Sequence, residues 1–272
     1  MRVLDRIDAV RKELDTARSR GQTVGLVPTM GALHAGHRSL IERSAAECDV
    51  TVVTVFVNPL QFGPSEDLAS YPRDLAEDVA LAAEAGADLV FAPPADEMFP
   101  AGPPPTTVTV AGLTEGLEGA TRPGHFAGVA TVVAKLFAIA GPCRAYFGEK
   151  DYQQLLVVRR LAADLSFPVD VVGCPTVREP DGLALSSRNA YLSADERRAA
   201  TVLYRALQAG AEGGSMAEVV AAEPLARLDY AAVCDPETLA PLDGVLAHPA
   251  RLLIAAWIGR TRLIDNLGVE PA

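Results

Sequence analysis

From residue 23 to residue 172, short apolar runs alternate with stretches of helical periodicity, and no other feature limits the fold of this chain so much. The runs at 24–27, 50–57, 89–91, 145–147 and 169–172 are rich in β-branched and aromatic residues and read as strands, the first followed by a turn at Pro28. Between them, 36–48, 73–86 (opened by Pro72), 126–140 and 150–165 read as helices. Strands separated by helices pair in parallel, which predicts a Rossmann-like α/β sheet with helices on both faces. Ligands of such sheets bind beyond the carboxyl ends of the strands.

The flanks read differently. Leu4, Ile7, Val10 and Leu14 predict an amphipathic helix over 3–20, ended by Gly21. Residues 93–105 hold six prolines and read as a surface loop. Beyond about residue 176 the pattern changes to an Ala- and Arg-rich helix (194–210), a Gly-rich stretch, and strands at 227–234, 252–257 and near 261–263. The expected division is a Rossmann-like domain over 1–176 and a smaller C-terminal α+β domain over 177–272.

Charge narrows the partners. The 272 residues carry 35 acidic and 24 basic side chains, a net −11. Such a field repels a nucleic-acid backbone, so no nucleic acid is expected, and any phosphate site must concentrate local donors. Cys48, Cys143, Cys174 and Cys234 form no C-x-x-C pair and read as free thiols of a reducing compartment. The N-terminal residues are charged and periodic, without a secretory apolar region, and no run approaches the roughly 18 apolar residues of a membrane span. The expectation is a cytoplasmic protein with no membrane partner.

His34 and His37 sit three residues apart, after a strand and at the start of a helix, where they share one face. A helix N-terminus offers unpaired N–H groups and a positive dipole end, so two imidazoles there make an anion clamp, and Gly36 lets a ligand approach the backbone. Structural histidines or a metal site are the competing readings, but a zinc ion needs further ligands that are not nearby. Lys150 follows a strand, opens a helix and offers a point charge for phosphate, or is an ordinary surface charge at a helix start. Ser186, Ser187 and Arg188 form a turn whose hydroxyls and guanidinium suit phosphate oxygens, or a plain Ser-rich turn. Gln61 and Gln154 are amides that can donate to one ligand group and accept from another, or are plain polar residues at a strand or helix end. Asp74, Glu77 and Asp78 read as a solvated helix face, and no Mg²⁺ ligand is assigned among them.

The segment Pro28-Thr29-Met30-Gly31-Ala32-Leu33-His34-Ala35-Gly36-His37 resembles the nucleotidyltransferase superfamily with its His-x-Gly-His signature. More narrowly it looks like the pantothenate synthetase (pantoate–β-alanine ligase) family. Four further segments agree in order: Phe56 with Val57-Asn58-Pro59-Leu60-Gln61-Phe62; Arg122-Pro123-Gly124-His125-Phe126; Gly148-Glu149-Lys150-Asp151-Tyr152-Gln153-Gln154; and Leu185-Ser186-Ser187-Arg188-Asn189. Leu60 and Leu185 stand where the family often has Met.

That resemblance implies an AMP-forming ligase that condenses (R)-pantoate with β-alanine to pantothenate through a pantoyl adenylate, releasing AMP and pyrophosphate. It implies ATP contacts at Met30, Gly31, Ala32, Leu33, His34, Ala35, Gly36 and His37, at Gly148, Glu149, Lys150 and Asp151, and at Val177, Leu185, Ser186, Ser187 and Arg188. It assigns catalysis to His37, His34 and Lys150, with His37 the proton donor, and pantoate to Gln61 and Gln154, with Gln61 also near β-alanine. ATP would arrive with Mg²⁺, and the family suggests a homodimer. The alternatives at this point are a nucleotidyltransferase that leaves the nucleotide on its product, and a nucleotide sensor without turnover. The acidic charge disfavours a tRNA-acting enzyme.

Overall fold

In the computed structural model, the residues described are 1–63, 68, 71–242, 244 and 248–271. They fall into two compact units, Met1–Glu149 with Gln153–Cys174, and Lys150–Tyr152 with Pro175–Ala272.

The first unit runs β1 (Arg2–Leu4), α1 (Ile7–Ser19), β2 (Val24–Thr29), α2 (Ala35–Glu47), β3 (Val50–Val55), α3 (Leu75–Glu84), β4 (Leu89–Phe91), α4 (Ala95–Met98), α5 (Glu118–Thr121), α6 (His125–Ala140), β5 (Cys143–Gly148), α7 (Tyr152–Asp164) and β6 (Val169–Cys174). Its six strands are parallel in the order β1-β4-β3-β2-β5-β6. Strand parity sorts the core onto two faces. Val24, Leu26, Val52, Leu89, Phe91, Ala145 and Phe147 pack with apolar residues of α1, α6 and α7. Val27, Val53, Val90 and Tyr146 pack on the opposite face with Leu40 and Ile41 of α2 and Ala82 of α3. The predicted sheet with helices on both faces is thus present.

Order reverses between β2 and β5, and the two strands part there. β2 pairs with β3 as far as Thr29↔Val55, but with β5 only at Gly25↔Arg144 and Leu26↔Ala145. This explains Pro28, which continues β2 rather than starting the expected turn. In a parallel ladder successive residues address alternate neighbours, and Thr23 and Thr29 accept from Val50 and Phe56 on the β3 side. Pro28 therefore faces β5, where the ladder has already ended and its missing N–H leaves no bond unmade.

Three other expectations change. The N-terminal helix does not begin at residue 3: Arg2, Val3 and Leu4 form β1 in register with Leu89, Val90 and Phe91. Leu4 fits helical spacing as well as strand pairing, and the long-range partner decides. The proline-rich loop contains the short α4, whose Met98 is buried. The 150–165 helix begins only at Tyr152, after a 3₁₀ turn at Glu149–Asp151.

The second unit carries α8 (Ala194–Ala199), α9 (Val202–Ala211), α10 (Met216–Ala221), β7 (Ala226–Cys234), β8 (Ala250–Ile258) and β9 (Thr261–Val269), the strands forming an antiparallel sheet in the order β7-β8-β9. Leu203, Leu207 and Val220 pack against Leu252, Ile254 and Leu263. The single helix predicted over 194–210 is two: at the break the Thr201 hydroxyl donates to Arg198 O at 2.8 Å and the backbone tightens to i→i+3 bonds. α10 lies in the stretch read as Gly-rich, capped by Ser215, whose Oγ accepts from Glu218 N at 3.2 Å. Among the described residues no helix is long and apolar enough to cross a membrane. All four cysteines are free thiols, and burial pushes the Cys143 thiol up to about 12.

Candidate active site

The carboxyl end of β2 leads into a turn that no single-residue pattern predicts. Thr29 Oγ1 donates to Thr54 O at 2.6 Å and accepts from Gly31 N at 3.2 Å. Gly31 and Ala32 then both take positive φ, +85° and +50°. A Cβ on Gly31 would lie 2.7 Å from Asp78 Oδ2, so glycine is required for space as well as for conformation. Asp78 is 3% exposed, and its carboxylate accepts from Leu33 N at 2.7 Å and Ala32 N at 3.2 Å. Asp74 and Glu77 remain exposed, with Asp74 capping α3 through Glu77 N at 3.0 Å. The solvated acidic face therefore loses Asp78, which turns inward to hold the turn. Burial raises its carboxyl above the usual range, against the two backbone donors, which lower it.

His34 and His37 follow. His34 is the N-cap of α2, and its Nδ1 accepts from Gly36 N at 3.1 Å; His37 Nδ1 accepts from His34 N at 3.3 Å. The reciprocal pair is a capping box made of imidazoles. The rings lie 4.2 Å apart, tilted by 38°. Because each Nδ1 accepts, the neutral ring carries its hydrogen on Nε2, the nitrogen suited to donate to a phosphate oxygen. No acidic side chain lies in the first turn of α2, which keeps its N-terminus favourable for an anion. Ala35 is exposed there, and Gly36 half-buried.

Gln61 ends a 3₁₀ turn, Pro59–Gln61, capped by Asn58. Asn58 is 2% exposed, and its Nδ2 donates to Gln61 Oε1 at 2.9 Å and to Gly128 O at 3.1 Å. Gln61 Nε2 in turn reaches Met30 Sδ at 3.0 Å, which joins the pantoate candidate to the His-x-Gly-His segment. Its carbonyl bonds His125 Nδ1 at 2.9 Å, while Arg122 meets the other His125 nitrogen at 3.1 Å. A Cβ on Gly128 would lie 2.1 Å from Leu60 O, so α6 approaches this turn only because residue 128 is glycine. Gln154 is half-buried on α7. Its neighbour Gln153 has a structural task, bonding Leu113 O, Gly116 O and Glu118 N. Gly148 ends β5, and Glu149 begins the following turn.

The second unit holds the remaining candidates. Lys150 is largely buried, with Nζ 3.7 Å from Asp151 Oδ1. Val177 O accepts from Leu185 N at 3.0 Å across a tight antiparallel turn, so these two candidates are neighbours. Ser186 caps the 3₁₀ turn Ser187–Tyr191 through Arg188 N at 3.3 Å. Asn189 ties that turn back to Ala184 O at 3.0 Å.

Sequence reasoning passed over Asn58, Asp78 and His125 as site residues. Asn58 and His125 stand inside quoted motifs, and their signal was a turn-forming residue beside proline or glycine. Asp78 carried no local signal, because its partners lie 45 and 46 residues away.

A family model described as pantoate-beta-alanine ligase matches residues 2–268. A pantothenate synthetase of Thermus thermophilus is 59% identical over 260 residues, 91% of this chain and 94% of that protein. That of Moorella thermoacetica is 52% identical over 282 residues, 99% of each. A crystal structure of Thermus thermophilus pantothenate synthetase matches with a TM-score of 0.93 at 54% identity over 100% of both chains. The Francisella tularensis pantoate-beta-alanine ligase, complexed with beta-gamma ATP and beta-alanine, matches with a TM-score of 0.85 at 35% identity, over 98% of this chain and 97% of that one. With the sheet and its histidine-capped helix, these likenesses define a class of enzyme, the ATP-dependent ligases that join a carboxylic acid to an amine. Within it the chain belongs to the pantoate–β-alanine ligase family, and its reaction is the ATP-dependent ligation of pantoate and β-alanine to pantothenate.

Proposed function

We propose that the ligation runs through a pantoyl adenylate and that the imidazole capping box at the start of α2 activates ATP for its formation. A free carboxylate is a poor acylating agent. An oxygen of the pantoate carboxylate attacks the α-phosphorus, and the bond to the departing pyrophosphate breaks. The amine of β-alanine then attacks the acyl carbon, loses a proton, and releases AMP. Charge grows on the α-phosphate and on pyrophosphate in the first step, where oriented donors are worth most. The observation that carries this reading is the reciprocal Nδ1 bonding of His34 and His37, which sets both Nε2–H groups as donors at a helix N-terminus. The family resemblance also assigns His37 as proton donor to the departing pyrophosphate; that transfer needs the imidazolium form, since a neutral ring offers Nε2–H as a hydrogen bond only.

On the same reading Met30, Gly31, Ala32, Leu33, Ala35 and Gly36 are assigned to ATP by the family motif, and Gln61 and Gln154 hold pantoate, Gln61 being fixed by Asn58 and Met30. Gly148, Glu149, Lys150, Asp151, Val177, Leu185, Ser186, Ser187 and Arg188 are assigned to the nucleotide by the family motif. Mg²⁺ is taken as part of the ATP substrate, carried by phosphates and water. Among the described residues no group of three His, Cys, Asp or Glu side chains could hold a metal ion. A Rossmann-like nucleotide domain, a cytoplasmic setting and a homodimer belong to the same proposal, the homodimer on resemblance alone.

The test is ATP–pyrophosphate exchange with pantoate present and β-alanine absent. Exchange is expected, and AMP should appear only when β-alanine is added. A folded enzyme that makes pantothenate yet exchanges no pyrophosphate would overturn the adenylate.

A further inference from the structure

We infer that two adjacent residues of β9, Asp265 and Asn266, are positioning residues that hold the two phosphate-directed segments of the second unit. Successive side chains of a strand point to opposite faces of its sheet. Asp265 shares parity with Leu263, Leu267 and Val269, which pack in the helix-covered core, whereas Asn266 has the other parity. Both are almost wholly buried polar side chains, 4% and 3% exposed, on a strand where apolar residues would pack more cheaply.

Asn266 reaches the Lys150 segment. Its Nδ2 donates to Lys150 O at 2.8 Å, and its Oδ1 accepts from Arg251 Nε at 2.7 Å. The Arg251 guanidinium lies over the Tyr152 ring at 3.9 Å, and Tyr152 donates to Pro236 O at 2.8 Å. Residues Lys150–Tyr152 belong to the second unit, and these bonds are the physical tie.

Asp265 reaches the Ser-Ser-Arg segment. It takes a two-pronged ion pair from Arg178, at 2.6 and 2.8 Å, and the same guanidinium donates to Gly182 O at 3.0 Å and stacks on Tyr204 at 4.2 Å. Arg178 pairs with Ala184, Ala184 O receives Asn189, and Asn189 N closes on Ser186 O at 3.0 Å. Arg178 also donates to Asn266 O at 3.2 Å, which couples the two arms. One short stretch of β9 thus sets the backbone of Lys150 and the base of the turn carrying Ser186, Ser187 and Arg188. The inference rests on the reading that these residues meet ATP.

The test is a pair of double-mutant cycles on the full chain, read as kcat/KM for ATP and KM for pantoate in the exchange reaction. Asn266→Ala should lower kcat/KM for ATP by about 10- to 100-fold, chiefly through KM for ATP, and leave KM for pantoate unchanged. In a Lys150→Ala background it should change little further. Arg178→Lys keeps the charge opposite Asp265 but loses the fork, and its effect should vanish in an Arg188→Ala background. A purely structural role would lower the active fraction, and hence kcat, with both KM values untouched. That result, or losses of equal size in both backgrounds, overturns the inference. If Lys150→Ala and Arg188→Ala themselves leave ATP kinetics unchanged, the assignment of those residues to ATP fails and the inference with it. Should Asn266→Ala not fold, the Arg178→Lys cycle decides.

Discussion

The carboxylate of Asp78 accepts the backbone N–H of Leu33 at 2.7 Å, so a side chain of α3 holds the turn that delivers His34. Asp78→Asn keeps one acceptor oxygen and turns an amide toward a backbone N–H, leaving one donor unmatched. A loss of about 1–3 kcal/mol in unfolding free energy is expected, measured by denaturant titration. The exchange rate should fall more than stability alone explains, because Ala32 is already held at φ +50° and relaxes once released. Wild-type exchange kinetics in a folded Asp78→Asn would remove the turn-holding role.

The pH dependence of that effect has a definite sign. Burial raises the Asp78 carboxyl in the folded state, so folding favours its protonated form. Its contribution is full below the unfolded value near about 3.9 and is lost as pH rises through the folded value. The melting-temperature difference, wild type minus Asp78→Asn, should therefore grow on acidification from about pH 7 toward about pH 4. A difference that shrinks over that interval would contradict the buried carboxylate.

His37→Ala removes an Nε2–H donor and also the acceptor that caps His34 N. Pyrophosphate exchange should drop by about 10²–10³-fold. His34→Ala should cost activity and also loosen the helix end, since its Nδ1 caps Gly36 N. Comparing exchange rates with thermal midpoints separates the two. Each ring caps one backbone N–H, so both variants should lower the thermal midpoint, and unchanged midpoints in both would argue against the imidazole capping box.

Gly128→Ala places a methyl 2.1 Å from Leu60 O and must push the Pro59–Gln61 turn away from α6. The expected readout is a rise in KM for pantoate of about 10-fold or more with KM for ATP little changed. An equal change in both would show that the turn does not serve the pantoate side selectively.

The parallel sheet was legible because burial on both faces writes continuous apolar runs, and helices between them leave no other pairing. The candidate phosphate-binding segment was legible because its pattern is local: a strand, two histidines three apart, and a helix start. Ser215 and Glu218 carried a capping signature that was readable and passed over. β1 and α4 were not legible, because three or four residues carry too little periodicity to outweigh a long-range partner.

Sequence alone therefore determined the alternation of elements, the candidate donors and the family whose motifs they match. Only the tertiary structure decided that Pro28 continues a strand, that Asp78 turns inward while Asp74 and Glu77 stay in water, and that both imidazoles accept through Nδ1. The physical reason is range. Helical periodicity and caps act within a few residues, whereas the partners of Pro28, Asp78 and Asn266 are set by strands and turns dozens of positions away.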